Sequence, residues 1–115
     1  MQWFTAKIVY RIITGTGNHT AQFEEQLRLI QAPHISNALQ KATEIGHKGE
    51  DFFYNQHLQL VQWQFMHVTE LNPLQHINDG MELYTRIEEQ DNAEAYMLTL
   101  RRRHEQLTDT INLPL

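Results

Sequence analysis

The pattern of apolar residues predicts an α+β domain of order ββαββα. Its sheet has four antiparallel strands, with one helix on the apolar face and a second, amphipathic helix at the C-terminus. Three observations predict this: two period-two alternations near the N-terminus, a helical stripe over residues 35–45, and a return to alternation before a second helical stripe from about residue 91. A single domain over 1–115 is expected, with a ββαββ core at 3–89, a helix at 90–108 and a tail at 109–115.

Each element has its own signal. In residues 3–13, Phe4, Ala6, Ile8, Tyr10 and Ile12 point one way, and Thr5, Lys7, Val9 and Arg11 the other. That is a half-buried strand rich in β-branched and aromatic side chains. "GTGNHT" (15–20) supplies the glycines and asparagine of a hairpin connection. The run 22–31 alternates again, and its pattern places Phe23, Leu27 and Leu29 inward and Glu24, Gln26 and Arg28 outward, with Glu25 on the apolar parity near a wet strand end.

Ile35, Ala38, Leu39, Ala42 and Ile45 then form a helical stripe, entered after Pro33 and left at Gly46 or Gly49. "DFFYN" (51–55) reads as an apolar cluster that packs the helix exit against the sheet. "LQLVQWQFMHVTEL" (58–71) supplies a central third strand, with Val61, Trp63, Phe65 and His67 on one parity. After the loop "NPLQHINDG" (72–80), "MELYTRIEE" (81–89) is the fourth strand, Met81, Leu83 and Ile87 inward and Glu82, Tyr84 and Arg86 outward. Ala93, Tyr96, Met97, Leu100, His104 and Leu107 mark the last helix, which begins near Asp91, a carboxylate suited to a helix N-terminus. The tail "TINLPL" is expected to be loosely held.

Bulk properties narrow the function classes. Hydrophobic residues make up 41% and charged residues 20%, a globular balance that excludes the disordered class. A net charge of −5 argues against nucleic acid as partner, because such binding draws on phosphate neutralisation. Without cysteine there is no disulfide framework, thiol nucleophile or thiolate metal site. Lys7 and Arg11 interrupt the N-terminal apolar stretch and no small-residue cleavage pattern follows it. Neither a signal peptide nor a membrane span is read there, and the cytoplasm is the expected compartment.

"WFTAKIVYR", "EEQLRLIQA", "ALQKATEIG", "VQWQFMHVTEL" and "DGMELYTRI", in that order, resemble the bacterial domain-of-unknown-function family 4288 over roughly residues 3–88. The resemblance implies a small α+β domain and carries no assigned catalytic or binding residues. The sequence departs from it twice. His67 stands where the family pattern more often has a small residue, and the helix after Glu89 extends beyond the shared core.

The remaining chemistry has a functional and a plainer reading at each point. Seven histidines stand at least nine residues apart, so a metal site using His57, His67 and His76 would have to be assembled in three dimensions; scattered surface histidines are the plainer account. His67 and Glu70 suit an acid–base pair, yet three positions apart they face opposite ways on a regular strand, and only a bulge or bend near Glu70 brings them together. Lys7, Arg11, Arg28, Tyr84 and Arg86, with Gln26, Gln62 and Gln64, form a candidate ligand or partner face. It is a solvated salt-bridged surface in the plain reading, because Glu24 and Glu82 share its parity. "LRRRHEQL" (100–107) could contact nucleic acid, but an acidic start and basic end of the helix also complement its dipole.

The expectation is a non-enzymatic protein-interaction or regulatory module with no cofactor, no metal and no membrane partner. Its partner is a protein or a second copy of itself, with Tyr96, Met97 and Leu100 as the candidate oligomer helix. The alternative is a binder of a small anionic ligand, or a minor enzyme, using the polar sheet face. Nucleic-acid binding comes third.

Overall fold

The computed structural model describes residues 1–112. It holds six elements, β1 (Gln2–Thr14), β2 (Gln22–Ala32), α1 (Ile35–Lys48), β3 (Asp51–Tyr54), β4 (Leu60–Leu74) and α2 (Ala93–Thr110). The α+β class and the ββαββα order are as the sequence predicts. Two compact units divide the chain, Met1–Leu83 with the sheet and α1, and Tyr84–Leu115 with α2.

The first unit is a four-stranded sheet in the order β2-β1-β4-β3, every neighbouring pair antiparallel. β1 and β2 make the expected hairpin, and Gly15 and Gly17 take the positive φ its turn needs. The fourth strand is not where the sequence pattern puts it. "MELYTRIEE" forms no strand, and "DFFY" is β3, paired with the start of β4. Asn55 makes that short hairpin possible: its side-chain oxygen accepts from the amides of His57 and Gln59. β4 consequently starts at Leu60 rather than at residue 58.

Phe4, Ala6, Ile30, Ala32, Ala38 and Ala42 form the buried cluster between sheet and helix, flanked by Ile45, Val68 and Leu71. α1 meets the sheet along a ridge of small residues at spacing four, Ala38, Ala42 and Gly46, which allows close approach. Ile35 and Leu39, expected in the buried stripe, flank that ridge and are exposed.

The exit of α1 is clamped to the sheet. Tyr10, fully buried, donates its hydroxyl hydrogen to the Gly46 carbonyl at 2.8 Å and packs edge-on against Phe65. Phe65 in turn meets the His47 ring at 4.8 Å, and its amide donates to Glu50 Oε2 at 3.2 Å. A side chain at Gly46 would run into the Phe65 ring, and one at Gly49 into the Tyr10 hydroxyl.

The second unit contains α2. Its N-cap is Asn92, whose side-chain oxygen accepts from the Ala95 amide at 3.0 Å, not Asp91. The helix runs on to Thr110, so Arg101, Arg102 and Arg103 lie in its middle and its last turn holds no basic residue. The dipole account of the arginines therefore fails. Met97, Leu98, Leu100 and Leu107 are exposed and Tyr96 half-buried. The end of the expected loose tail, residues 113–115, lies outside the described residues.

Two substitutions test the clamp. Gly46→Ala should lose stability in urea unfolding, because overpacking against Phe65 costs about 1–3 kcal/mol and the helix-propensity gain returns only about 1 kcal/mol. Tyr10→Phe should cost about 0.5–1.5 kcal/mol at neutral pH by removing one buried hydrogen bond. Burial pushes the Tyr10 hydroxyl above its ordinary value of 10.0, opposed by Arg28 and reinforced by Glu24 and Glu50. With the folded value above the unfolded one, its contribution is intact below about pH 10 and is lost as pH climbs through the folded value. Unfolding curves of Tyr10→Phe across the alkaline range should lack that part of the decline.

Candidate interaction surface

The register on β1 sorts the sheet residues onto two faces. Phe4, Ala6, Ile8 and Tyr10 lie on the α1 face and are buried; Trp3, Thr5, Lys7, Val9, Arg11 and Ile13 lie on the other, which we call the open face. Paired side chains share a face, so β2 is sorted by its partners. Arg28 opposes Ala6, Gln26 opposes Ile8 and Glu24 opposes Tyr10, which puts these three on the α1 face. Leu27 opposes Lys7, Leu29 opposes Thr5 and Phe23 opposes Arg11, which puts the apolar residues on the open face. The sequence pattern assigns the two sets the other way round, and the pairing overturns it.

The physical reason lies in what α1 covers. Ile30 and Ala32 join the buried cluster with Ala38 and Ala42, while the helix exit at Gly46 rests on Tyr10 and Phe65. The helix thus passes from the end of β2 toward β4 and leaves Glu24, Gln26 and Arg28 reachable by water. These three form a string along the strand. Arg28 donates to Gln26 Oε1 through Nε and Nη2, at 3.1 and 2.8 Å, and the Gln26 amide donates to Glu24. On the open face, Phe23, Leu27 and Leu29 remain 58%, 46% and 51% exposed.

β4 carries two register shifts against β1, at Met66 and at Thr69. Val61, Trp63 and Phe65 therefore share the α1 face, whereas His67 pairs with Val9 and Glu70 with Lys7, both on the open face. The regular-strand expectation, which separates His67 from Glu70 and joins His67 to Trp63, is overturned by these bulges. Trp63 stacks instead on Phe53 of β3, ring centroids 5.9 Å apart. Glu70 is engaged by Lys7, Nζ to Oε2 at 3.1 Å, with Glu25 at 3.7 Å on the other side. The arrangement that results is a carboxylate–ammonium–carboxylate bridge across three strands.

Of the five residues of the candidate ligand face, three lie on strands of the sheet. Lys7 and Arg11 share the open face, and Arg28 stands on the opposite one. Tyr84 and Arg86 belong to the second unit, in a stretch without strand structure, where they line a shallow cleft with Glu88 and Tyr96 and Arg86 is ion-paired to Glu88. Tyr96, Met97 and Leu100 all lie on α2 of that unit.

Among the described residues no three His, Asp or Glu side chains stand close enough to hold a metal ion. His19 braces the β1–β2 turn. Its Nε2 accepts from the Thr14 amide at 3.0 Å and its Nδ1 donates to the Thr20 carbonyl at 2.8 Å, which assigns the ring hydrogen to Nδ1.

The sequence reading missed Phe52 and Tyr54. They pair with Gln62 and Leu60 and, with Gln62 also paired to Ile13, extend the open face as exposed aromatics. A signal was present: a short aromatic run between Gly-Glu and Asn is a strand signature.

The β1–β4 core with its intervening helix coincides with a known family. A family model described as "Domain of unknown function (DUF4288)" matches residues 3–85. The chain belongs to this family. The DUF4288 match takes in the sheet from Trp3 onward and α1, and ends before α2. No curated protein and no solved structure matches the chain. Among the described residues, no helix is long and apolar enough to cross a membrane.

The bridge at Lys7 gives a direct test. A double-mutant cycle of Lys7→Met and Glu70→Gln should return a coupling of about 0.2–1 kcal/mol, small because Glu70 is open to water, and 1 M salt should reduce it.

Proposed function

We propose that this DUF4288 protein is a non-enzymatic protein-interaction module whose main contact surface is the open face of the sheet. The observation that carries the reading is the apolar content of that face: Phe23, Leu27 and Leu29 on β2 and Phe52 and Tyr54 on β3 are all exposed, with half-buried Val9 and Ile13 between them. Several exposed aliphatic and aromatic side chains on one face are the composition of an interaction surface, with aromatic anchors supplying contact area and a charged element setting orientation. Here the Glu25–Lys7–Glu70 bridge is that element. The cleft at Tyr84 and Arg86 supports an anion site less well, because Glu88 already neutralises the guanidinium. α2, with Met97 and Leu100 exposed, offers a second apolar surface for a partner or a second copy.

A photo-crosslinking residue at His67, exposed on the open face, should capture a discrete partner protein in the native cell. The same residue at Gln40, exposed on α1, should not. Leu27→Ser in the His67 background should abolish the adduct. Equal capture at both positions, or none at His67, would sink the reading.

A further inference from the structure

β2 is an edge strand, with β1 as its only neighbour in the sheet among the described residues. Along an antiparallel strand the N–H and C=O of one residue point the same way, and successive residues alternate. The Gln31 carbonyl accepts from Lys41 Nζ of α1 at 3.0 Å, so Gln31 turns its backbone away from β1. By alternation, Phe23, Glu25, Leu27 and Leu29 also present their amides and carbonyls outward. Natural edges are usually kept short or interrupted by proline, a bulge or charged side chains, lysine above all. β2 has 11 residues, in unbroken register with β1, and its sequence "QFEEQLRLIQA" contains neither proline nor lysine.

We infer that β2 pairs antiparallel with β2 of a second copy about a twofold axis at Gln26, joining two sheets into one. This deepens the interaction-module reading by naming a second copy of the chain as the occupant of that edge. Charge complementarity selects the occupant and the register. Twofold pairing of identical antiparallel strands must centre on a residue, since paired side chains share a face. Centring on Glu24, Glu25 or Arg28 sets a like charge against itself, and centring on Leu27 places Glu24 opposite Ile30 and Glu25 opposite Leu29 with no ion pair to offset them. Centring on Gln26 sets Glu24 opposite Arg28 of the partner copy and Phe23 opposite Leu29 of the partner copy, each twice by symmetry, and these pairs outweigh the one mismatch, Glu25 opposite Leu27. The charged pairs then occupy the non-hydrogen-bonded positions, where strands bring side chains closest, and the outward backbones of Phe23, Glu25, Leu27 and Leu29 fall at the hydrogen-bonded ones. The string from Glu24 through Gln26 to Arg28 already holds both charges in place on each strand. It is negative at one end, positive at the other, and meets its own inverted copy.

Sedimentation equilibrium of the full chain over a range of concentrations tests this, with circular dichroism confirming that each variant folds. The wild type should show a monomer–dimer equilibrium. Glu24→Arg or Arg28→Glu alone sets like charges opposite each other and should weaken it roughly tenfold or more. The double variant Glu24→Arg/Arg28→Glu should recover the dimer. Mixing the two single variants should produce a heterodimer tighter than either forms alone, an outcome peculiar to this register. A wild type that stays monomeric throughout overturns the inference, as does a dimer indifferent to these substitutions and lost on Met97→Asp, which would put the contact on α2. A monomeric chain that still captures a partner at His67 refutes edge pairing and leaves the open-face reading standing. A charge-dependent dimer without capture at His67 does the reverse.

Discussion

A single hydrogen bond ties the helix to the sheet at the point where the chain turns back into it. The Tyr10 hydroxyl reaches the Gly46 carbonyl from the middle of β1, beneath a helix that presents only small residues there. Everything downstream is positioned from that contact. With α1 held against Tyr10 and Phe65, Gly49 and Glu50 lead straight into β3, and the Glu50 carboxylate meets the Phe65 amide on β4. The glycines are part of the same constraint: they are absent side chains at the two places where aromatic groups of the sheet fill the space.

Anchoring α1 this way decides what each face of the sheet has to offer. The helix shields β1 along most of its length but only the last residues of β2, so the remainder of β2 carries charge on the helix side and hydrocarbon on the other. That distribution would be costly in the middle of a sheet and is tolerable at an edge. It also leaves the apolar residues of β2 uncovered on the open face, beside the ion pairs of Lys7.

Much of this architecture was legible in the chain. β1, the hairpin turn and α1 carry strong periodicity, and the order of elements followed from it. What failed depended on partners. In β2 both parities contain apolar residues, Phe23, Leu27 and Leu29 against Ile30 and Ala32, and only the pairing with β1 reveals which set is covered. The bulges at Met66 and Thr69 exist in the relation between two strands, so alternation within β4 could not expose them, and the grouping of His67 with Glu70 was hidden for that reason. The place beside β4 goes to "DFFY" and not to "MELYTRIEE". The shorter segment occupies it because a compact Asn55 turn delivers it there. The same two errors account for Arg28, assigned to the wrong face by parity, and for Tyr84 and Arg86, assigned to a strand that does not form.

The two bulges give β4 an unusual relation between length and meaning. In a regular strand, losing one residue exchanges inside for outside for everything that follows, much as a deleted letter garbles a reading frame. Met66 and Thr69 are surplus letters: each stands beside the pairing with β1 rather than in it. Excising either would leave Trp63 and Phe65 beneath the helix and His67 and Glu70 on the opposite side, whereas excising Gln64 between them would not. The central strand of this family member thus has two places where the gene can shorten without changing which way any neighbouring side chain faces, and their positions follow from the pairing with β1.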